Sequence, residues 1–139
     1  MKSALLFLLA APLLVAATEP VALDVTISGI RSTRGALLVC LWKDKPGFPT
    51  CGKSKTAVKL RSAISGGSMK VTFRGIAPGS YAVSVEHDED GDGKLKTNFI
   101  GMPKEGVGVS NNPGGIPSFN RAQVRVNGNG AISIMMRYL

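Results

Sequence analysis

Histidine is nearly absent from this chain, and the scarcity removes several chemistries at once. His87 is the only one in 139 residues. With no second His and no Cys beside it, it cannot build a zinc site. A hydrolytic triad fails for the same reason: Ser65, Ser110 and Ser118 fall in loop-like stretches, with no G-x-S-x-G elbow and no spare imidazole. Aromatic residues make up 6% of the chain, too few for a base-stacking platform, so nucleic acid is not an expected partner. Met69, Met102, Met135 and Met136 lack the further His or Cys ligands that copper wants and read as gap fillers. Beyond residue 17 no apolar run is long enough to cross a bilayer, and no stretch carries the 3.6-residue period of an amphipathic helix.

The longest apolar run stands at the N-terminus. Lys2 is followed by Ala4 to Ala11 and then Pro12 to Val15, with small residues at Ala16 and Ala17. Charge, short apolar core and small residues in that order make a secretory signal peptide over residues 1–17, with the mature chain expected to start at Thr18. The remaining 18–139 suit one domain. Both cysteines, Cys40 and Cys51, lie in that part, and neither sits in a C-x-x-C motif. An even count in an exported chain predicts one disulfide, closing a loop that holds Pro46, Gly47 and Pro49.

Charge is unevenly laid out. Seventeen Lys and Arg stand against nine Asp and Glu, for a net +8. Five of those nine acids, Glu86, Asp88, Glu89, Asp90 and Asp92, crowd into one short run. The rest of the surface is strongly basic. It is suited to ordinary solubility or to anionic envelope polymers and lipid headgroups.

Past residue 20 the dominant period is two. Val21, Leu23, Val25 and Ile27 alternate with smaller or polar neighbours, as do Val58 and Leu60, and Met69, Val71 and Phe73. Ala36 to Trp42 is apolar throughout and reads as a central strand buried on both faces, with Trp42 packing beside the disulfide. Tyr81, Val83, Val85 and His87 share one face, opposite Ala82, Ser84, Glu86 and Asp88. Val124 and Val126, then Ile132, Ile134, Met136 and Tyr138, supply two more strands around the Asn127 to Gly130 turn. The expectation is an all-β, two-sheet antiparallel β-sandwich of about seven strands, Ig-like or prealbumin-like. It is interrupted by one long loop excursion over 88–120.

That excursion opens with the acidic run. Asp88-Glu89-Asp90-Gly91-Asp92-Gly93 fits the D-x-D-x-D-G start of a calcium loop, in which alternate oxygens converge on a hard cation. Lys94 would offer its backbone carbonyl. An EF-hand would then place a bidentate Glu where this chain has Phe99, so ligands must come from elsewhere. The expected set is Asp88, Asp90, Asp92, Lys94, Asn98 and Glu105, with Glu86 close by. Lys94 and Lys96 offset part of the charge. An Asp/Gly-rich exposed turn is the competing reading of the same residues. His87 beside Asp88 invites an acid/base role, but strand parity turns it to the Tyr81 face, as a hydrogen-bonded structural histidine.

Two resemblances follow from these motifs. Gly75-Ile76-Ala77-Pro78-Gly79-Ser80-Tyr81 resembles the P-G-x-Y turn-to-strand corner of transthyretin-like and prealbumin-type sandwiches, in which Tyr81 buries its ring and bonds a nearby backbone through its hydroxyl. More extensively, His87 to Leu95, Thr97 to Gly106 and Gly108 to Asn112 carry H-D-x-[DN]-x-[DN]-G-K, G-x-P-x-E-G and S-N-N in order. That order resembles a family of small secreted bacterial proteins, domain of unknown function 2141. The resemblance implies an envelope sandwich and carries no activity. The expected protein is therefore periplasmic or secreted and non-enzymatic. In one reading a calcium-ordered loop recognises an envelope protein or anionic polymer. In the other, a metal-independent structural or carrier module docks partners through a sheet face or edge.

Overall fold

The computed structural model describes residues 9–14, 18–94 and 105–139. The expected signal-peptide cut after Ala17 lies outside them, as does Asn98. Eight strands form: β1 (Val21–Ser28), β2 (Ala36–Trp42), β3 (Val58–Ala63), β4 (Ser68–Ile76), β5 (Gly79–Asp88), β6 (Val107–Val109), β7 (Val124–Val126) and β8 (Gly130–Met135). A 3-10 turn covers Cys51–Lys53, and a short helix α1 spans Phe119–Ala122. Among the described residues no helix is long and apolar enough to cross a membrane.

The strands make a two-sheet sandwich. One sheet has the order β4-β1-β8; the other has five strands, β3-β2-β5-β6 with β7 also pairing β5. Period-two patterning explains the inner faces. Leu23, Val25 and Ile27 of β1 meet Leu37, Val39 and Leu41 of β2, with Phe73, Val83, Val85 and Ile134 closing the layer. Each such side chain, fully buried, contributes roughly 1.5–3 kcal/mol. The tyrosine corner forms as well: Tyr81 is buried and its hydroxyl donates to the Ala77 carbonyl.

Three features differ from the sequence reading. The 88–120 excursion contains a strand, β6, which pairs with β5 through Ser84↔Val109 and Glu86↔Val107. Val-Gly-Val is too short to show a period. The sandwich is also not wholly antiparallel, because β8 runs parallel to β1. The Asn127 to Gly130 turn does not fold β7 back on β8; it carries the chain from one sheet to the other, and Asn129 Oδ1 accepts from the Ala22 amide at 2.8 Å. The outer face of β5 is covered, as the two-sided burial expected for its neighbour β2 requires. Cys40, Trp42, Cys51, Ala82, Val109, Phe119 and Ala122 form a second core on the far side of the five-stranded sheet. The Cys40–Cys51 disulfide, with Cα atoms 5.9 Å apart, pins the covering loop there.

Ser110, Asn111 and Asn112 lock that arrangement. The Ser110 hydroxyl accepts from the Val83 amide at 2.9 Å and donates to the Ala122 carbonyl. The Asn111 amide donates to the Arg121 and Gln123 carbonyls, at 3.0 and 2.9 Å. Asn112 reaches the free side of β8, donating to the Ser133 carbonyl at 3.1 Å and accepting from the Met135 amide at 2.7 Å. The S-N-N run therefore clasps β5, α1 and β8 with side chains that mimic a strand's backbone.

Candidate cation site at the end of β5

The outward residues of β5 are polar and buried, so each needs a partner. Ser84 accepts from Trp42 Nε1 at 2.8 Å. Glu86 accepts from the Cys51 amide at 2.6 Å. Burial pushes the Glu86 carboxyl above the ordinary carboxylate range against that hydrogen bond, with Glu105 and Asp88 adding like-charge repulsion. Asp88 ends the strand at 3% exposure. Its Oδ2 accepts from Arg61 Nη1 at 3.0 Å and from the Gly93 amide at 2.9 Å. Its Oδ1 is buried with no hydrogen-bond partner among the described residues.

The chain beyond Asp88 turns sharply, using positive φ at Gly91 (75°) and Gly93 (76°). Asp90 Oδ1 accepts from the Asp92 amide at 3.2 Å, and Asp92 Oδ1 accepts from the Lys94 amide at 2.8 Å. Glu105 returns to the same place, because the β6–β5 pairing that follows it begins two residues later. It is buried, and its Oε1 accepts from the Glu89 amide at 3.2 Å. Asp88, Asp90 and Glu105 thereby each bring a carboxylate oxygen within 4.8 Å of the other two.

The six residues expected to hold a metal are thus distributed unequally. Asp88, Asp90 and Glu105 converge. Asp92 is not part of that group, and Lys94 is exposed. Glu89 faces away: Arg31 and Ser32 hold its carboxylate, and the Arg31 guanidinium keeps it below the ordinary range. Sequence reasoning missed Arg61, although the alternation of Val58 and Leu60 with Lys59 and Arg61 along β3 already placed it on one face with Lys59. It also missed Gly35, at φ 68°, where a Cβ would stand 1.8 Å from the Asp88 carbonyl oxygen.

His87 points the other way, into the sandwich, and is fully buried. Its Nε2 lies 2.7 Å from the Arg34 carbonyl, which can only accept, so Nε2 carries the hydrogen. Nδ1, 2.9 Å from the Tyr138 oxygen, then accepts from that hydroxyl. Both ring nitrogens are engaged within the protein, and Arg31 stacks over the far side of Tyr138 at 4.4 Å.

Residues 25–134 match the model of a family described as "Uncharacterized protein conserved in bacteria (DUF2141)". The chain belongs to this family. No curated protein and no solved structure gives a significant match. In this DUF2141 domain the motif residues fall into two groups. S-N-N ties the sheets together, while the acidic run and Glu105 build the carboxylate cluster.

Proposed function

We propose that the protein is an exported, non-enzymatic binding module of the cell envelope whose acidic end takes a calcium ion. The observation that carries this reading is Asp88 Oδ1, a buried carboxylate oxygen with no protein partner among the described residues, beside the oxygens of Asp90 and Glu105. A buried acceptor oxygen left in that state costs about 1–3 kcal/mol unless a donor or a cation joins it. The donors are all hard oxygens in an irregular loop, which suits Ca²⁺ better than zinc or a rigid magnesium octahedron. A bound ion would tie the 89–94 turn to the segment entering β6 and so order the surface that the loop presents. The disulfide and the apolar leader support export. The engagement of both His87 nitrogens supports a non-enzymatic role.

The metal-independent structural or carrier reading has its own support, since Arg61 and the Gly93 amide already neutralise Asp88 Oδ2. Thermal unfolding in EDTA and in about 10 mM Ca²⁺ separates the two. For a site in the weak extracellular range, stabilisation is about 2 kcal/mol, or about 8 °C for a domain of this size. Asp88→Asn should abolish the response. Equal melting in chelator and calcium would overturn the calcium reading and leave the other.

A further inference from the structure

The loop pinned by the disulfide presents an apolar groove beside a concentration of positive charge. Phe48 stands edge-on between Trp42 and Phe119, with ring centroids 5.3 and 5.7 Å away. Its outer side opens into a groove of about 440 Å³ whose walls include Lys45, Pro46, Pro117 and Phe119. Ile116, next to that wall, is 86% exposed. A lone exposed isoleucine is unremarkable; this one extends an apolar rim already made of prolines and aromatic edges.

Lys43, Lys45, Lys53 and Lys55 are exposed on the same loop, where Asp44 is the one carboxylate. The loop is preformed. Besides the disulfide, the Phe48 amide donates to Lys45 at 3.0 Å, Thr50 to Gly47 at 2.9 Å and Lys53 to Thr50 at 2.9 Å, all to backbone carbonyls. The Lys53 backbone and Cβ lie beside Gly47, a residue of the groove wall. An uncharged protein partner has no use for four lysines, and a soluble polyanion has none for Ile116. An anionic bilayer uses both, taking cations at its phosphates and apolar tips at the headgroup–acyl boundary.

We propose that this face, formed by the disulfide loop and the Ile116–Phe119 turn, docks the domain onto an anionic membrane surface. The surface does not depend on the cation site at the other end of β5. The chain from Thr18 contains every strand and both cores of the described residues, and is used for the test. It is sedimented with vesicles of phosphatidylcholine alone and of phosphatidylcholine mixed equally with phosphatidylglycerol, and circular dichroism checks the fold of each variant. Partition onto the mixed vesicles should exceed that onto the neutral ones by at least about tenfold. Lys45→Gln and Lys53→Gln should each reduce it about fivefold, and Ile116→Gln about tenfold. Equal partition onto both vesicles would overturn the proposal. So would a folded Ile116→Gln protein that binds the mixed vesicles as tightly as the parent, because the surface would then be a site for soluble polyanions.

Discussion

Ser110→Ala should be among the most damaging single-atom deletions in the molecule. The side chain is completely buried, and its oxygen serves two backbone groups from different elements: the Val83 amide of β5 and the Ala122 carbonyl at the end of α1. Val83 keeps one link, since its carbonyl still accepts from the Ser110 amide at 2.9 Å. The other two groups lose their partner where water does not reach. An orphaned buried donor or acceptor costs about 1–3 kcal/mol, so the pair should cost about 3–4 kcal/mol. A natural domain has only about 5–15 kcal/mol in total. With a urea m-value near 1.5 kcal/mol/M, the midpoint should fall by about 2 M.

Asn112→Ala is the internal comparison. It also removes two backbone bonds, to Ser133 and Met135, but these face solvent. Water replaces them, and the cost should be about 1 kcal/mol. Urea unfolding of both variants with the disulfide intact gives the contrast. A Ser110→Ala loss below about 1 kcal/mol at unchanged m, or an Asn112→Ala loss equal to it, would refute the assignment of S-N-N as a clasp whose buried member dominates.

Three further outcomes are expected. Glu86 has its carboxyl raised above the ordinary 4.5 in the fold, so the native state binds the proton more tightly and stability should decline as pH rises from 4.5 toward neutrality. Glu86→Gln, which still accepts from Cys51, should flatten that decline, whereas Glu86→Ala should be about 2 kcal/mol less stable than Glu86→Gln at neutral pH; paired melts across pH in EDTA check both. Glu89, held below its ordinary range by Arg31, acts in the opposite sense, losing its contribution as pH falls, and Glu89→Gln should remove that acid-side loss. Gly35→Ala forces a Cβ onto the Asp88 carbonyl at positive φ; it should cost at least about 2 kcal/mol and weaken any calcium response read by calorimetry.

Much of the sandwich was legible because burial on one face writes a period of two into a strand. The unbroken apolar run of β2 likewise announced burial on both faces. Other features depend on partners remote in sequence. Nothing local in Val107-Gly108-Val109 signals that β5 has an open edge for it, and nothing in β8 signals a parallel neighbour from the other end of the chain. Nothing local to β5 names the partners of its polar side, where Ser84 and Glu86 are satisfied by Trp42 and Cys51. Loop spacing ranked Asp92 with Asp88 and Asp90. Glu105 was named among the ligands, but only the pairing of β6 with β5 shows how it reaches Asp88 and Asp90, with Asp92 outside the group.

The outer face of β5 also explains why the carboxylate cluster stands at the strand's end. Going outward along it, Ala82 needs no partner, Ser84 has the Trp42 indole, and Glu86 has the Cys51 amide. The end of β2 and the disulfide loop supply those donors, and the loop's last buried residue before Lys53 is Cys51 itself. Asp88 lies past the reach of that cover. Arg61 comes across from β3 to take one oxygen, and the turn donates Gly93 to the same atom, leaving the other oxygen over. Among the described residues Asp88 Oδ1 is the one buried side-chain oxygen without a hydrogen-bond partner, and it stands where the carboxylates of Asp88, Asp90 and Glu105 meet. In the proposed reading, a calcium ion there would be bound by Asp88 Oδ1 together with Asp90 and Glu105.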